Sequence, residues 1–288
     1  VIYGAIEWKR QSHVSKEIEE GMLYKKVAQL ISNADVLFIS AGAGMGVPGG
    51  LGTFRGTAAG VWPPLEQLGL RFQDMSNPLR FKEDDKFGPG WAWSFWKWRY
   101  CAYTQTQPHD GYKYLLDWSK KKTHPSFVFT TNIDGHFLKA GFENVLERHG
   151  TVQFLQCQRI DPTCPNFDKM WETEHGLIED LQVDPETHQV TSPLPTCEGC
   201  EKTARPTVLM FGDSHVLRTQ IEKQKQIFKT WQEQITKSGK LKMVVIEIGA
   251  GIAIPTARKK SEKISRKFSC PLIRINPEYP KFEAAAPN

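Results

Sequence analysis

Apolar positions in this chain recur at two spacings. From Ser15 to Asn33, Ile18, Met22, Val27, Leu30 and Ile31 return at roughly helical intervals, which predicts a helix. Val36-Leu37-Phe38-Ile39 then forms an unbroken apolar run, the pattern of a strand covered on both faces. Phe127-Val128-Phe129 and Val244-Val245-Ile246 repeat that pattern, each before a polar or glycine-rich turn, and Leu272-Ile273-Arg274-Ile275 supplies a fourth strand. Short apolar strands separated by helical stretches predict an α/β fold with a doubly wound parallel sheet. Ligands of such sheets sit beyond the carboxyl ends of the strands, where these turns fall.

Two segments interrupt the alternation. Residues 57–103 are rich in tryptophan and proline, including Trp91, Trp93, Trp96 and Trp98, and are read as a helical insertion. Residues 157–204 carry paired cysteines and turn formers such as Asp161-Pro162, and are read as a small separate module. The main domain is then expected over 21–156 and 205–283, with a frayed tail after Glu283. With 40% hydrophobic and 24% charged residues among 288, the composition is that of an ordinary globular protein. The net charge of +5 is spread along the chain without an aromatic-basic module, so no direct nucleic-acid binding is expected. No apolar run approaches the roughly 20 residues of a membrane helix, and Val1-Ile2-Tyr3-Gly4 does not open a signal peptide. Six cysteines are too few for a disulfide scaffold, which leaves an intracellular protein, cytoplasmic or nuclear, as the expectation.

The candidate chemistry begins at Ser40-Ala41-Gly42-Ala43-Gly44, where glycines after a buried strand let the backbone approach a pyrophosphate and offer it free N–H groups. Gly50-Leu51-Gly52-Thr53-Phe54-Arg55-Gly56 follows. Further on come Thr131-Asn132-Ile133-Asp134 at a strand end and Glu147-Arg148-His149-Gly150, whose imidazole has the pKa range of a general base. Cys197-Glu198-Gly199-Cys200 has the spacing of one corner of a tetrahedral zinc site, with Cys157 and Cys164 as a wider second pair. Free thiols are the alternative.

In this order the motifs resemble those of the sirtuins. The GAG turn, Gly50, Phe54 and Arg55 match that family's first signature, with Gly52 and Thr53 replacing its proline and aspartate. The Asn-Ile-Asp motif has Thr131 where the family has glutamine. The resemblance implies a Rossmann-like NAD-binding fold with a structural zinc on Cys157, Cys164, Cys197 and Cys200. It also implies a cofactor site built from Gly42, Ala43, Gly44, Phe54, Arg55, Thr131, Asn132 and Asp134, with Gly249-Ala250-Gly251 and Asn276 at its adenosine end. Catalysis would rest on His149, Asn132 and Asp134. Arg205-Pro206-Thr207-Val208-Leu209-Met210-Phe211-Gly212-Asp213 is similar to the family's substrate segment, so Val208, Phe211 and Gly212 would border an acyl-lysine peptide bound by strand addition.

The implied activity is NAD-dependent removal of an acyl (acetyl) group from protein lysine, giving nicotinamide and acyl-ADP-ribose. Mono-ADP-ribosyl transfer or NAD hydrolysis on the same fold is the alternative. Trp93-Ser94-Phe95-Trp96-Lys97-Trp98-Arg99 resembles a Trp-x-Phe-Tyr-x-x-Arg segment whose tyrosine and arginine recognise acidic acyl groups in some members. Here Trp96 replaces the tyrosine, and periodicity favours an aromatic helix packed on the core.

Overall fold

The computed structural model describes residues 13–53, 62–83, 85–158 and 162–279. The predicted first helix is α1, His13–Ser32, and the predicted first strand is β1, Val36–Ala41. Strands β2 (Phe127–Thr130), β3 (Val145–Glu147), β7 (Met243–Ile248) and β8 (Leu272–Ile275) join β1 in a parallel sheet of order β3-β2-β1-β7-β8. The sequence pattern missed β3, whose three residues are too short to show a period.

Every residue of β1 is buried, with Leu37, Ile39 and Ala41 in the core on one face and Val36 and Phe38 in the core on the other. Covering both faces removes the need for polar alternation, which is why the run reads as continuous apolar sequence. One face packs on α1 and α3 (Asp110–Lys120), the latter through Tyr112 and Leu115. The other packs on α4 (Thr219–Lys237) and α5 (Thr256–Lys267), through Ile221, Phe228, Trp231, Ile235 and Ile264. α3 is capped at its start by His109, whose Nδ1 accepts from the Gly111 N–H at 3.0 Å. Asp110 and Lys120 lie at its positive and negative ends.

The insertion contains α2, Gly88–Gln105, which buries Trp93, Phe95, Trp96, Arg99 and Tyr100. A helix this apolar belongs inside a core, and α2 packs against a second sheet. That second sheet is antiparallel, β5-β4-β6, from β4 (Gly150–Cys157), β5 (Met170–Glu172) and β6 (Ala204–Val208). It extends beyond the expected module limits on both sides. β6 is an edge strand, which explains how it tolerates Pro206. The continuous apolar stretch Val208–Phe211 is not a strand, because β6 stops at Val208 and the chain turns.

Strand order reverses direction between β1 and β7, and there two loops meet backbone to backbone. Gly42 N–H donates to Ile248 O and Gly44 N–H to Gly249 O, both at 3.0 Å. A Cβ on Gly249, whose φ is +61°, would lie 2.3 Å from the Met45 nitrogen. A Cβ on Gly42 would lie 2.7 Å from Gly249 O. Gly249→Ala therefore combines left-handed strain of roughly 1–2 kcal/mol with a collision against main chain that cannot rotate away. It is expected to lower the urea midpoint with an unchanged slope. An unaltered midpoint would show that the loops are not held this closely.

Candidate active site

Two cavities open at the carboxyl ends of the parallel strands. The larger, about 640 Å³, is lined by Gly42, Ala43, Gly44, Gly249, Ala250, Gly251 and Asn276, and by Thr53, Tyr114 and Trp118 on its outer wall. The other, about 460 Å³, is lined by Asn132, Asp134, Val208, Phe211, Gly212, Trp96, Arg99 and Tyr103. Ala43, Thr131, His149 and Ile254 line both. The sequence-predicted residues are thus distributed over two chambers, with His149 at their junction. Phe54 and Arg55 lie outside the described residues.

His149 sits on the turn from β3 to β4, held by its own carbonyl, which accepts from Leu209 N–H at 2.8 Å. Its imidazole donates to the Thr131 carbonyl. Burial, followed by the charge of Arg148, lowers its pKa to about 4 despite that hydrogen bond. The ring is therefore neutral at physiological pH, with one nitrogen engaged and the other able to accept a proton. Burial raises the pKa of Asp134, although its Oδ1 accepts from His136 N–H at 2.9 Å. Glu147, buried beside Gln224, is pushed up to about 7 by desolvation. The Asn132 Nδ2 is buried without a partner, an orphaned donor on the wall of the smaller cavity. A polar ligand there would satisfy it.

Several expectations change in detail. The N–H groups of Gly42 and Gly44 are not free for a phosphate, because both donate into the β7 loop. The glycines line the cavity, but their smallness is used first to let two loops touch. The Thr131 hydroxyl donates to Ala41 O at 3.3 Å, tying β2 to β1. Asn276 donates from Nδ2 to Ala250 O at 2.9 Å and accepts with Oδ1 from the Glu278 and Tyr279 N–H groups. Its amide thus staples the loops that follow β7 and β8.

In the segment from Arg205 to Asp213, Leu209, Met210 and Phe211 use their N–H groups within the chain, on His149 O, Asp213 Oδ2 and Ser76 O. The segment is fixed by Arg205 and Asp213, a fully buried pair at 2.8 Å. Both Asp213 oxygens accept from the guanidinium, at 2.8 and 3.1 Å.

Sequence reasoning missed Tyr103. It stands one turn beyond Arg99 on α2, and its hydroxyl accepts from Arg99 Nη2. The i, i+4 spacing on a helix was the available signal. Arg99 is only 4% exposed and stacks on the Phe72 ring at 4.6 Å. Its Nε and Nη1 are buried with no partner. Among the described residues no carboxylate pairs with it.

Away from the cavities, Cys157, Cys164, Cys197 and Cys200 converge, with Sγ atoms 3.6 Å (157–200), 3.7 Å (157–164) and 3.6 Å (164–197) apart. Tetrahedral Zn–S bonds of about 2.3 Å place sulfurs about 3.8 Å apart, so the residues fit the metal. The two cysteines outside this cluster, Cys101 and Cys270, are half-buried.

A model of the Sir2 family matches residues 42–235. The NAD-dependent protein deacetylase 1 of Geobacillus kaustophilus (strain HTA426) is 29% identical over 61% of this chain and 59% of its own length. The NAD-dependent protein deacylase of Thermococcus sibiricus is 26% identical over 66% of each chain. The chain thus spans about three fifths to two thirds of these relatives. A crystal structure of a Sir2 homolog–NAD complex superposes with a TM-score of 0.61 over 88% of this chain and 82% of that one, at 23% identity, a likeness of fold. The chain belongs to the Sir2 family.

Metal analysis of the purified protein is expected to give about one zinc per chain. Cys197→Ser should lose the metal and lower the melting temperature. A metal-free wild-type protein that melts normally would remove the zinc assignment.

Proposed function

We propose that the protein is an NAD-dependent lysine deacylase acting on acylated protein, with NAD in the larger cavity and the acyl-lysine in the smaller one. The carrying observation is His149, neutral and shared by both chambers. When bound, NAD supplies an electrophilic ribose carbon and nicotinamide as leaving group. The chain's part is to orient and to move protons. The free nitrogen of His149 accepts a ribose hydroxyl proton, and its N–H bond to the Thr131 carbonyl fixes the tautomer. Asn132 offers its unpaired amide to a polar group held beside Asp134. Val208, Phe211 and Gly212 border the acyl chain. Residues 21–156 and 205–283 form the NAD domain in this reading, and 157–204 a zinc-stapled support.

His149→Ala should cut acyl-ADP-ribose formation by roughly 10²–10⁴-fold. Because the neutral imidazole is the active form and its pKa is depressed, activity should persist below pH 6.5 and be lost as pH falls toward about 4. Product analysis by mass spectrometry checks both. Free nicotinamide without acyl-ADP-ribose would point to NAD hydrolysis or ADP-ribosyl transfer instead.

Arg99 supports a finer reading, an acyl group that ends in a carboxylate. A guanidinium buried in the acyl cavity without a counter-ion is costly unless a ligand supplies one. Tyr103, one helical turn beyond, bonds to Arg99 on the wall of the same cavity. Arg99→Met should reduce kcat/KM for a succinyl-lysine peptide by roughly 10- to 100-fold and change acetyl-lysine turnover far less. Equal effects on both peptides would assign Arg99 to packing alone.

A further inference from the structure

The lysines look scattered in sequence, but the fold gathers several of them on the face of the sheet away from α1 and α3. α4 packs on β3, and α5 packs on β1 and β7. The stretch of sheet between them carries Phe129 on β2, and the Lys260 ammonium lies over the Phe129 and Phe228 rings at 5.1 and 5.0 Å. Lys260, Lys263 and Lys267 fall at i, i+3 and i+7, a single stripe of α5 that spans about 10 Å at 1.5 Å per residue. Opposite them on α4 stands Lys225, and Lys267 Nζ reaches across to Gln232 Oε1 at 2.9 Å. Arg148 closes the end nearest the active site, and its Nη1 is buried with no partner. Burial, and then the charges of Lys263, Arg148, Lys225 and Lys267, hold Lys260 below the ordinary lysine range, so these cations do sense one another.

Among the described residues of α4 and α5, a carboxylate pairs with Lys225 but none with Lys260, Lys263 or Lys267. Glu262, the one acid of α5, is turned away to Arg274 at 2.8 Å. Glu147 is buried and hydrogen-bonded to Gln224. Glu222 pairs with Lys225 at 2.6 Å, and Glu233 lies at the far end of α4.

We propose that this face binds the phosphodiester backbone of nucleic acid. A lysine-lined face suits phosphates, for which lysine acts as a point charge. It suits a protein partner poorly, since lysine is depleted in protein interfaces and their centres are apolar. The apolar residues of α4 face the sheet, and its exposed Ile227 lies on the opposite flank from Lys225. Among the described residues of α4 and α5 no exposed aromatic ring is offered for base stacking, so the contact is with the backbone of a duplex, independent of sequence. The proposal departs from the expectation drawn from the linear sequence and is independent of the deacylase reading.

The test is fluorescence anisotropy of the full chain with a labelled 20-base-pair DNA duplex across a salt series. Binding is expected with Kd of about 10⁻⁴–10⁻⁶ M at physiological salt. The exposed pair K263E/K267E should weaken it and reduce the slope of log affinity against log salt by about 2, with an unchanged melting temperature. K120E/K121E, the same charge change on exposed residues at the end of α3, should leave it intact. Absence of binding at low salt, equal loss in both double variants, or tighter binding to poly-glutamate of matched charge would each overturn the proposal.

Discussion

The architecture depends on a close approach of backbone to backbone at the point where strand order reverses. Gly42, Gly44 and Gly249 bring the β1 and β7 loops into direct hydrogen bonding, at a distance that any side chain would prevent. With those loops clamped, the carboxyl ends of β1, β2 and β7 become a fixed rim. Gly249 N–H donates in turn to Ile275 O, and Asn276 holds Ala250, so β8 joins the same rim. The larger cavity exists because this rim is rigid and carries almost no side chains.

The second chamber is built on different physics. α2, Phe72 and Phe211 place bulky aromatic rings around a space that they do not fill, and the buried Arg205–Asp213 pair fixes the turn that closes it. A buried pair of this kind contributes little net stability, but loss of one partner strands a charge and is costly. The cysteine cluster at the far end of β4 ties the loops of this small sheet together, a service its few apolar residues cannot supply. His149 stands where the two chambers meet, and desolvation keeps it neutral.

Much of this was legible in the chain itself. β1 announced itself by an apolar run, because burial on both faces demands one, and the cysteine pair at 197 and 200 announced the metal-type cluster by spacing. The order of Gly42, Asn132, Asp134, His149 and Arg205 was sufficient to suggest the family. β3 was not legible, since three residues carry no period.

Sequence alone determined β1, β2, β7 and β8, the glycine turns and the metal-type cysteines, all of which rest on local spacing or on burial that leaves a continuous apolar mark. Tertiary structure decided whatever depends on the absence of a partner or on residues far apart in the chain. It showed that the Gly42 and Gly44 donors are engaged, and that Asn276 staples loops. Among the described residues it left Arg99 buried without a carboxylate, and it drew Arg148, Lys225 and Lys260 to one face. Charge and desolvation act through space, and a linear pattern does not record which groups face each other or which face none.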